Sequence, residues 1–152
     1  MILHDTFTLD RTYPAAAAEV WRCWTDPELR HRWFRGPDGY ELAERTLDFR
    51  VGGGEVLRGR LPSGTRTSFR ATFHVIAEPR HIVSAYIMHL DDVLLSMTLA
   101  TLELTADGPQ TRLRYTEQSA YFDDDPKSPG RRKGGTSWHL DNLGALLADR
   151  AR

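Results

Sequence analysis

The 152-residue chain has a single cysteine, Cys23. With no second thiol it can close no internal disulfide and build no thiolate metal site, and a lone small thiol of this kind is expected to be a buried apolar residue. Long apolar runs are missing too. No stretch approaches the roughly 20 apolar residues of a membrane span, and Met1 to Asp10 lacks the apolar core of a signal peptide, so a cytoplasmic location is expected. Excess charge of one sign is also absent: 20 basic against 21 acidic side chains give a net charge of −1, without the electrostatic footprint of a nucleic-acid binder. There is no G-x-S-x-G elbow, P-loop or dinucleotide fingerprint. Gly52-Gly53-Gly54 lacks the strand-to-helix context of a phosphate cradle and reads as a tight turn. The histidines His4, His31, His74, His81, His89 and His139 share no metal-ligand spacing, so neither a metal nor a cofactor is expected.

What is present is the composition of a globular protein, 40% hydrophobic and 27% charged, with no linker or repeat to divide it. A single domain over residues 1–152 is expected, large enough to tolerate a cavity. His4 to Thr12 alternates Phe7 and Leu9 with polar residues, the period of a half-buried strand. Ala17, Val20, Trp21 and Trp24 recur at helical spacing. Asp26-Pro27-Glu28 then restarts the chain as a second short helix with Leu29 and Trp33 as its buried pair. Between Tyr40 and Glu117 turn residues separate six predicted strands. Phe69, Ala71, Phe73 and Val75 share one inward face. Leu95, Met97 and Leu99 alternate inward as well, but Leu102 and Leu104 have the opposite phase, which predicts a bulge or a two-sided contact near Ala100 and Thr101. Tyr121 to Gly135, with its basic run Arg131-Arg132-Lys133, reads as a solvated loop. Thr136, Leu140, Leu143 and Leu147 then form the apolar stripe of a terminal helix. Trp138 sits about 160° from that stripe and is expected to face a loop, a partner or solvent, with a homodimer as one possibility.

A strand, two short helices, six antiparallel strands and one long helix make sense as a curved α+β sheet closed by that helix. The chain resembles the START-like (SRPBCC) helix-grip superfamily, in the branch of the activator of heat-shock-protein-90 ATPase homologues. The resemblance rests on Tyr13-Pro14-Ala15 before Glu19-Val20-Trp21, on Thr25-Asp26-Pro27 leading to Trp33, and on Asp48-Phe49-Arg50-Val51-Gly52-Gly53. It continues through Glu78-Pro79-Arg80, Thr111-Arg112-Leu113 and Thr116-Glu117-Gln118 to Gly135-Thr136 and Leu140-Asp141-Asn142-Leu143. It implies a hydrophobic small-molecule cavity between sheet and helix, in a family of which only some members are enzymes. Fold alone does not choose among them.

On these strand phases Phe49, Val51, Phe69, Phe73, Tyr86, Met88, Met97, Tyr115 and Glu117 point toward the helix. Trp24, Trp33, Phe34, Leu140 and Leu143 complete the expected cavity wall. Glu117 is the informative polar residue, because a carboxylate on an apolar face must find a partner or shift its pKa upward. It can orient a ligand hydroxyl, act as a general acid or base, or pair with an arginine such as Arg50. Tyr86 and Tyr115 can donate to a ligand carbonyl or satisfy their hydroxyls at the rim. The leading expectation is a binding protein for a small hydrophobic or aromatic ligand. One alternative is a polyketide aromatase or cyclase-like enzyme in which Glu117, Tyr86 or His89 moves protons. Another is an accessory protein of a chaperone ATPase.

Overall fold

The computed structural model describes residues 1–152. Seven antiparallel strands form one sheet: β1 (Leu3–Tyr13), β2 (Glu41–Leu47), β3 (Gly54–Arg60), β4 (Arg66–Ala77), β5 (His81–Leu90), β6 (Val93–Asp107) and β7 (Gln110–Tyr121). Helices α1 (Ala17–Thr25) and α2 (Pro27–Trp33) follow β1, and the long α3 (Ser128–Arg150) ends the chain. The strand order is β1-β7-β6-β5-β4-β3-β2, so the meander from β2 to β7 is closed by β1 pairing beside β7. The six strands expected between Tyr40 and Glu117 are all present, and the architecture is the expected α+β helix grip.

Local chemistry explains the element ends. The Asp26 carboxylate accepts the backbone N–H groups of Glu28 and Leu29, capping α2, and Pro27 occupies the first helical position, where its missing N–H costs nothing. In the β2–β3 turn Gly52 has φ +81°, and a Cβ on Gly53 would lie 2.2 Å from the Asp48 carbonyl oxygen, so that turn requires glycine. It docks on β4 through Gly52 N–H to Phe73 O (2.8 Å) and Phe73 N–H to Gly53 O (2.9 Å).

The core lies between the sheet's concave face and the helices. Val20, Trp21 and Cys23 of α1, Leu29 and Trp33 of α2 and Leu140, Leu143, Leu146 and Leu147 of α3 pack on Phe73, Ile82, Leu102, Leu104 and Leu113. Cys23 is buried, and burial pushes its thiol pKa up to about 11. Tyr13 ties the first strand to the last helix: its hydroxyl donates to the Leu140 carbonyl at 2.7 Å.

Several expected phases change. The β4–β5 register shifts between Phe73 and Val75, so Val75 turns outward and Ile76 packs on the core in its place. β6 carries no bulge at Ala100 and Thr101; it pairs with β7 without interruption from Ser96↔Tyr121 to Asp107↔Gln110. Ser96, Thr98, Ala100, Leu102 and Leu104 are its buried face, whereas Met97 and Leu99 lie on the exposed convex side. α3 starts at Ser128, eight residues before Thr136, so the basic run belongs to a helix rather than a loop.

Tyr13→Phe is expected to lower unfolding stability by about 0.5–1.5 kcal/mol, the net worth of one hydrogen bond, since the Leu140 carbonyl loses its side-chain donor and keeps its helical one. Denaturant unfolding measures the loss; an unchanged midpoint would show that the hydroxyl does not help dock α3.

Candidate functional site

Between the concave sheet and α3 lies a cavity of about 460 Å³. It exists because the inward positions in mid-sheet are small, Ala71, Ser84 and Ala100, while bulkier Phe73, Ile82 and Leu102 flank them. A sheet and helix packed across small residues leave volume that neighbouring side chains fill only in part. Trp24, Trp33, Phe34, Phe69, Phe73, Tyr86, Met88, Tyr115, Glu117 and Leu140 all line it. The rings form a continuous series, with Phe34–Phe69 centroids 5.0 Å apart, Phe69–Tyr86 4.8 Å and Trp24–Tyr115 5.7 Å.

Four expected wall residues lie elsewhere. Phe49 is in the β2–β3 turn and packs on Trp21 and Phe73, and Val51 in the same turn is 60% exposed. Met97 is on the convex face because β6 has the opposite phase, and Leu143 is buried in the core below the cavity lining. His89 pairs with Ser68 between the inward Phe69 and Thr67 positions, which puts it on the convex side, away from the cavity and from Glu117.

The inner end of the cavity is polar. Glu117 on β7 is 2% exposed. Its Oε2 accepts hydrogen bonds from the hydroxyls of Tyr86 (2.7 Å, from β5) and Tyr115 (2.8 Å, two residues away on β7), while its Oε1 accepts none. Arg132 of α3 reaches down to this group, with Nη1 3.9 Å from Oε1. Nη1 donates to the Tyr86 hydroxyl (3.0 Å) and Thr98 Oγ1 (3.2 Å), and Nη2 donates to Ser96 Oγ (2.7 Å). The arginine expected as a partner, Arg50, pairs instead with Asp48 in the turn. Burial raises the Glu117 pKa, against the opposing pull of the Arg132 charge and the two tyrosine hydrogen bonds. Burial, reinforced by the Glu117 charge, pushes both tyrosines well above their usual range, so their hydroxyls remain donors at neutral pH.

A second buried pair stands in another part of the wall. Arg30 of α2 makes a bidentate contact with Glu55 of β3, Nε to Oε2 at 2.9 Å and Nη2 to Oε1 at 2.8 Å. Its guanidinium lies 4.0, 4.7 and 4.9 Å from the ring centroids of Phe34, Trp33 and Trp24. Carboxylate on one side and aromatic faces on the other offset part of the lost hydration, while Nη1 has no hydrogen-bond partner. At the mouth, His139 of α3 hydrogen-bonds the Arg35 carbonyl through Nε2 at 2.9 Å. The Arg35 guanidinium lies over the Trp138 ring at 5.0 Å, so Trp138 faces the α2–β2 loop.

Arg132, Ser96, Thr98, Arg30 and Glu55 were not among the expected site residues. Arg132 alone left a usable sequence signal: it lies four residues before Thr136, so it extends the helix stripe by one turn.

A curved antiparallel sheet gripping one long helix across a lined cavity defines a START-like helix-grip protein. Residues 14–148 match the family described as Activator of Hsp90 ATPase homolog 1-like protein, and the chain belongs to that family. A crystal structure of a Rhizobium loti protein is 40% identical over 96% of this chain and 99% of its own, with a TM-score of 0.87. One from Rhizobium leguminosarum is 30% identical over 98% and 97%, with a TM-score of 0.92. CalU16 of Micromonospora echinospora, 19% identical over 99% and 86% with a TM-score of 0.69, shares the fold alone. No curated protein matches the chain.

Two outcomes follow from the charged groups. Glu55→Ala is expected to cost about 3–5 kcal/mol by leaving Arg30 buried without its carboxylate, as read by urea unfolding. His139 is held down to about 4 by burial, against its Arg35 hydrogen bond and helped by the charges of Arg30, Arg35 and Arg45. From the ordinary value of 6.5 down to about 4 the unfolded chain therefore binds a proton that the folded one refuses. The stability present above pH 6.5 is lost as pH falls through that window, and His139→Gln is expected to flatten the loss. Unfolding curves at pH 7 and 4.5 for both proteins check it; equal slopes would remove His139 as the cause.

Proposed function

We propose that this protein binds a small hydrophobic, preferably aromatic, ligand in the cavity between sheet and α3. The observation that carries the reading is the cavity of about 460 Å³, walled by aromatic rings and polar at one inner end through Glu117, Tyr86, Tyr115 and Arg132. Small-molecule sites have this form, an apolar pocket of several hundred Å³ in which a few placed polar groups fix orientation. Family membership supports a ligand-binding or cyclase-like fold and no narrower assignment.

Catalysis is a second reading, favoured by one observation: Glu117 is a buried carboxylate of raised pKa beside the cavity, the environment of a general acid or base. On that reading Glu117→Gln abolishes turnover of a cyclisable polyketide-type substrate. Unchanged turnover would exclude the acid–base role.

The binding reading is tested with the neutral fluorescent probe N-phenyl-1-naphthylamine. One molecule per chain is expected to bind, with quenching of tryptophan emission through Trp24 and Trp33. Ala100→Leu puts a larger side chain into the cavity floor and is expected to weaken that binding at least about tenfold, the effect of 1.4 kcal/mol of overpacking. Absence of binding by the wild-type protein, or full binding by a folded Ala100→Leu variant, would overturn the proposal.

A further inference from the structure

Which ligand group the polar end accepts follows from counting its donors and acceptors, given the reading of the cavity as a binding site. Both tyrosine hydroxyl protons are committed to Glu117 Oε2. Arg132 Nη1 has two N–H bonds, and both are used, on Tyr86 and Thr98; Nη2 gives one of its two to Ser96. The donors beside Oε1, the two tyrosine hydroxyls and Arg132 Nη1, are therefore occupied within the protein, whereas the unpartnered Trp24 Nε1 and Arg30 Nη1 belong to another part of the wall. Glu117 Oε1 is in the opposite condition. It is buried, it accepts no hydrogen bond, and Arg132 at 3.9 Å is too distant to fill its lone pairs. A buried acceptor left unmet is costly, so a ligand that supplies the missing proton gains over one that does not.

Charge narrows the class further. Glu117 and Arg132 offset one another, so a ligand cation would meet the guanidinium and a ligand anion the carboxylate. The group that fits is a neutral donor. The rings of Phe34, Phe69, Trp24 and Trp33 around it favour a flat aromatic body.

We infer that the cavity selects neutral aromatic molecules bearing a phenolic hydroxyl, seated so that this hydroxyl donates to Glu117 Oε1. A carbonyl or carboxylate seated there would set a second acceptor beside an unmet one, so analogues bearing these groups bind more weakly. The tyrosines act as positioning residues that hold the carboxylate with its free oxygen toward the ligand.

Calorimetric or fluorescence titration of the full chain with 2-naphthol, 2-methoxynaphthalene, 2-acetylnaphthalene and naphthalene tests this. The wild-type protein is expected to bind 2-naphthol at least about tenfold more tightly than the other three. In Glu117→Gln the tyrosine donors retain the amide oxygen on their side, which turns the amide N–H2 toward the ligand. The preference is then expected to vanish or to invert in favour of 2-acetylnaphthalene. Equal binding of 2-naphthol and its methyl ether by the wild type would overturn the inference and leave the cavity reading intact. So would an unchanged naphthol preference in a folded Glu117→Gln variant. Failure of all four probes, naphthalene included, would overturn the binding function and this inference with it. A readout independent of the variant is the carboxylate stretch in infrared difference spectra of the wild type. It is expected to shift with 2-naphthol and not with the ether; a shift with neither overturns the assignment of Glu117 as the acceptor.

Discussion

A buried carboxylate on the concave face of the sheet is the constraint around which the rest of the molecule is arranged. Glu117 has little water available to it, so its charge has to be met by other parts of the chain. Two tyrosines from β5 and β7 supply hydrogen bonds, but only α3 supplies a cation. For Arg132 to arrive there, α3 must already be helical in the basic segment and lie over the polar side of β6. Its register is fixed at the other end by Leu140, Leu143 and Leu147 in the core and by the Tyr13 hydroxyl on the Leu140 carbonyl. Buried charge pairs add little net stability, yet removing one partner is severe. Their use here is to specify one position of the helix along the sheet.

The same requirement explains the cavity's composition. Ser96 and Thr98 occupy inward positions of β6 where an apolar sheet face would carry large aliphatic groups, because both are partners of Arg132. With Ala71, Ser84 and Ala100 also inward, the mid-sheet floor is too low for α3 to fill by packing alone. The Arg30–Glu55 pair keeps the opposite wall from collapsing inward, since its guanidinium is already surrounded by Trp24, Trp33 and Phe34. Charge pairing at two points thus preserves an apolar volume between them.

Much of this architecture was legible in the sequence where local rules coincide. The Asp26-Pro27 cap, the glycine turn at Gly52 and the alternation of Phe69, Ala71 and Phe73 each have one physical meaning, and each is found as expected. β6 departs from the expected phase because its larger apolar residues, Met97 and Leu99, face outward while its inward face holds serine and threonine. Hydrophobic alternation registers size and polarity, and it inverts where a strand serves a buried charge. The basic run departs from expectation for a related reason: three consecutive cations suggest solvent, but on a helix they point in three directions, and of the three only Arg132 is drawn out of solvent. The Arg30–Glu55 contact joins residues 25 positions apart and leaves no periodic trace.

The network that makes Glu117 conspicuous also limits what it can do. Burial raises its affinity for a proton, as a general base requires. Two tyrosine donors and a guanidinium act against that shift by stabilising the ionised form. A carboxylate fixed by donors on one oxygen and left open on the other is arranged to hold a hydrogen bond; taking the proton outright would weaken three interactions at once. Binding therefore makes use of every contact in the cluster, whereas proton transfer works against most of them.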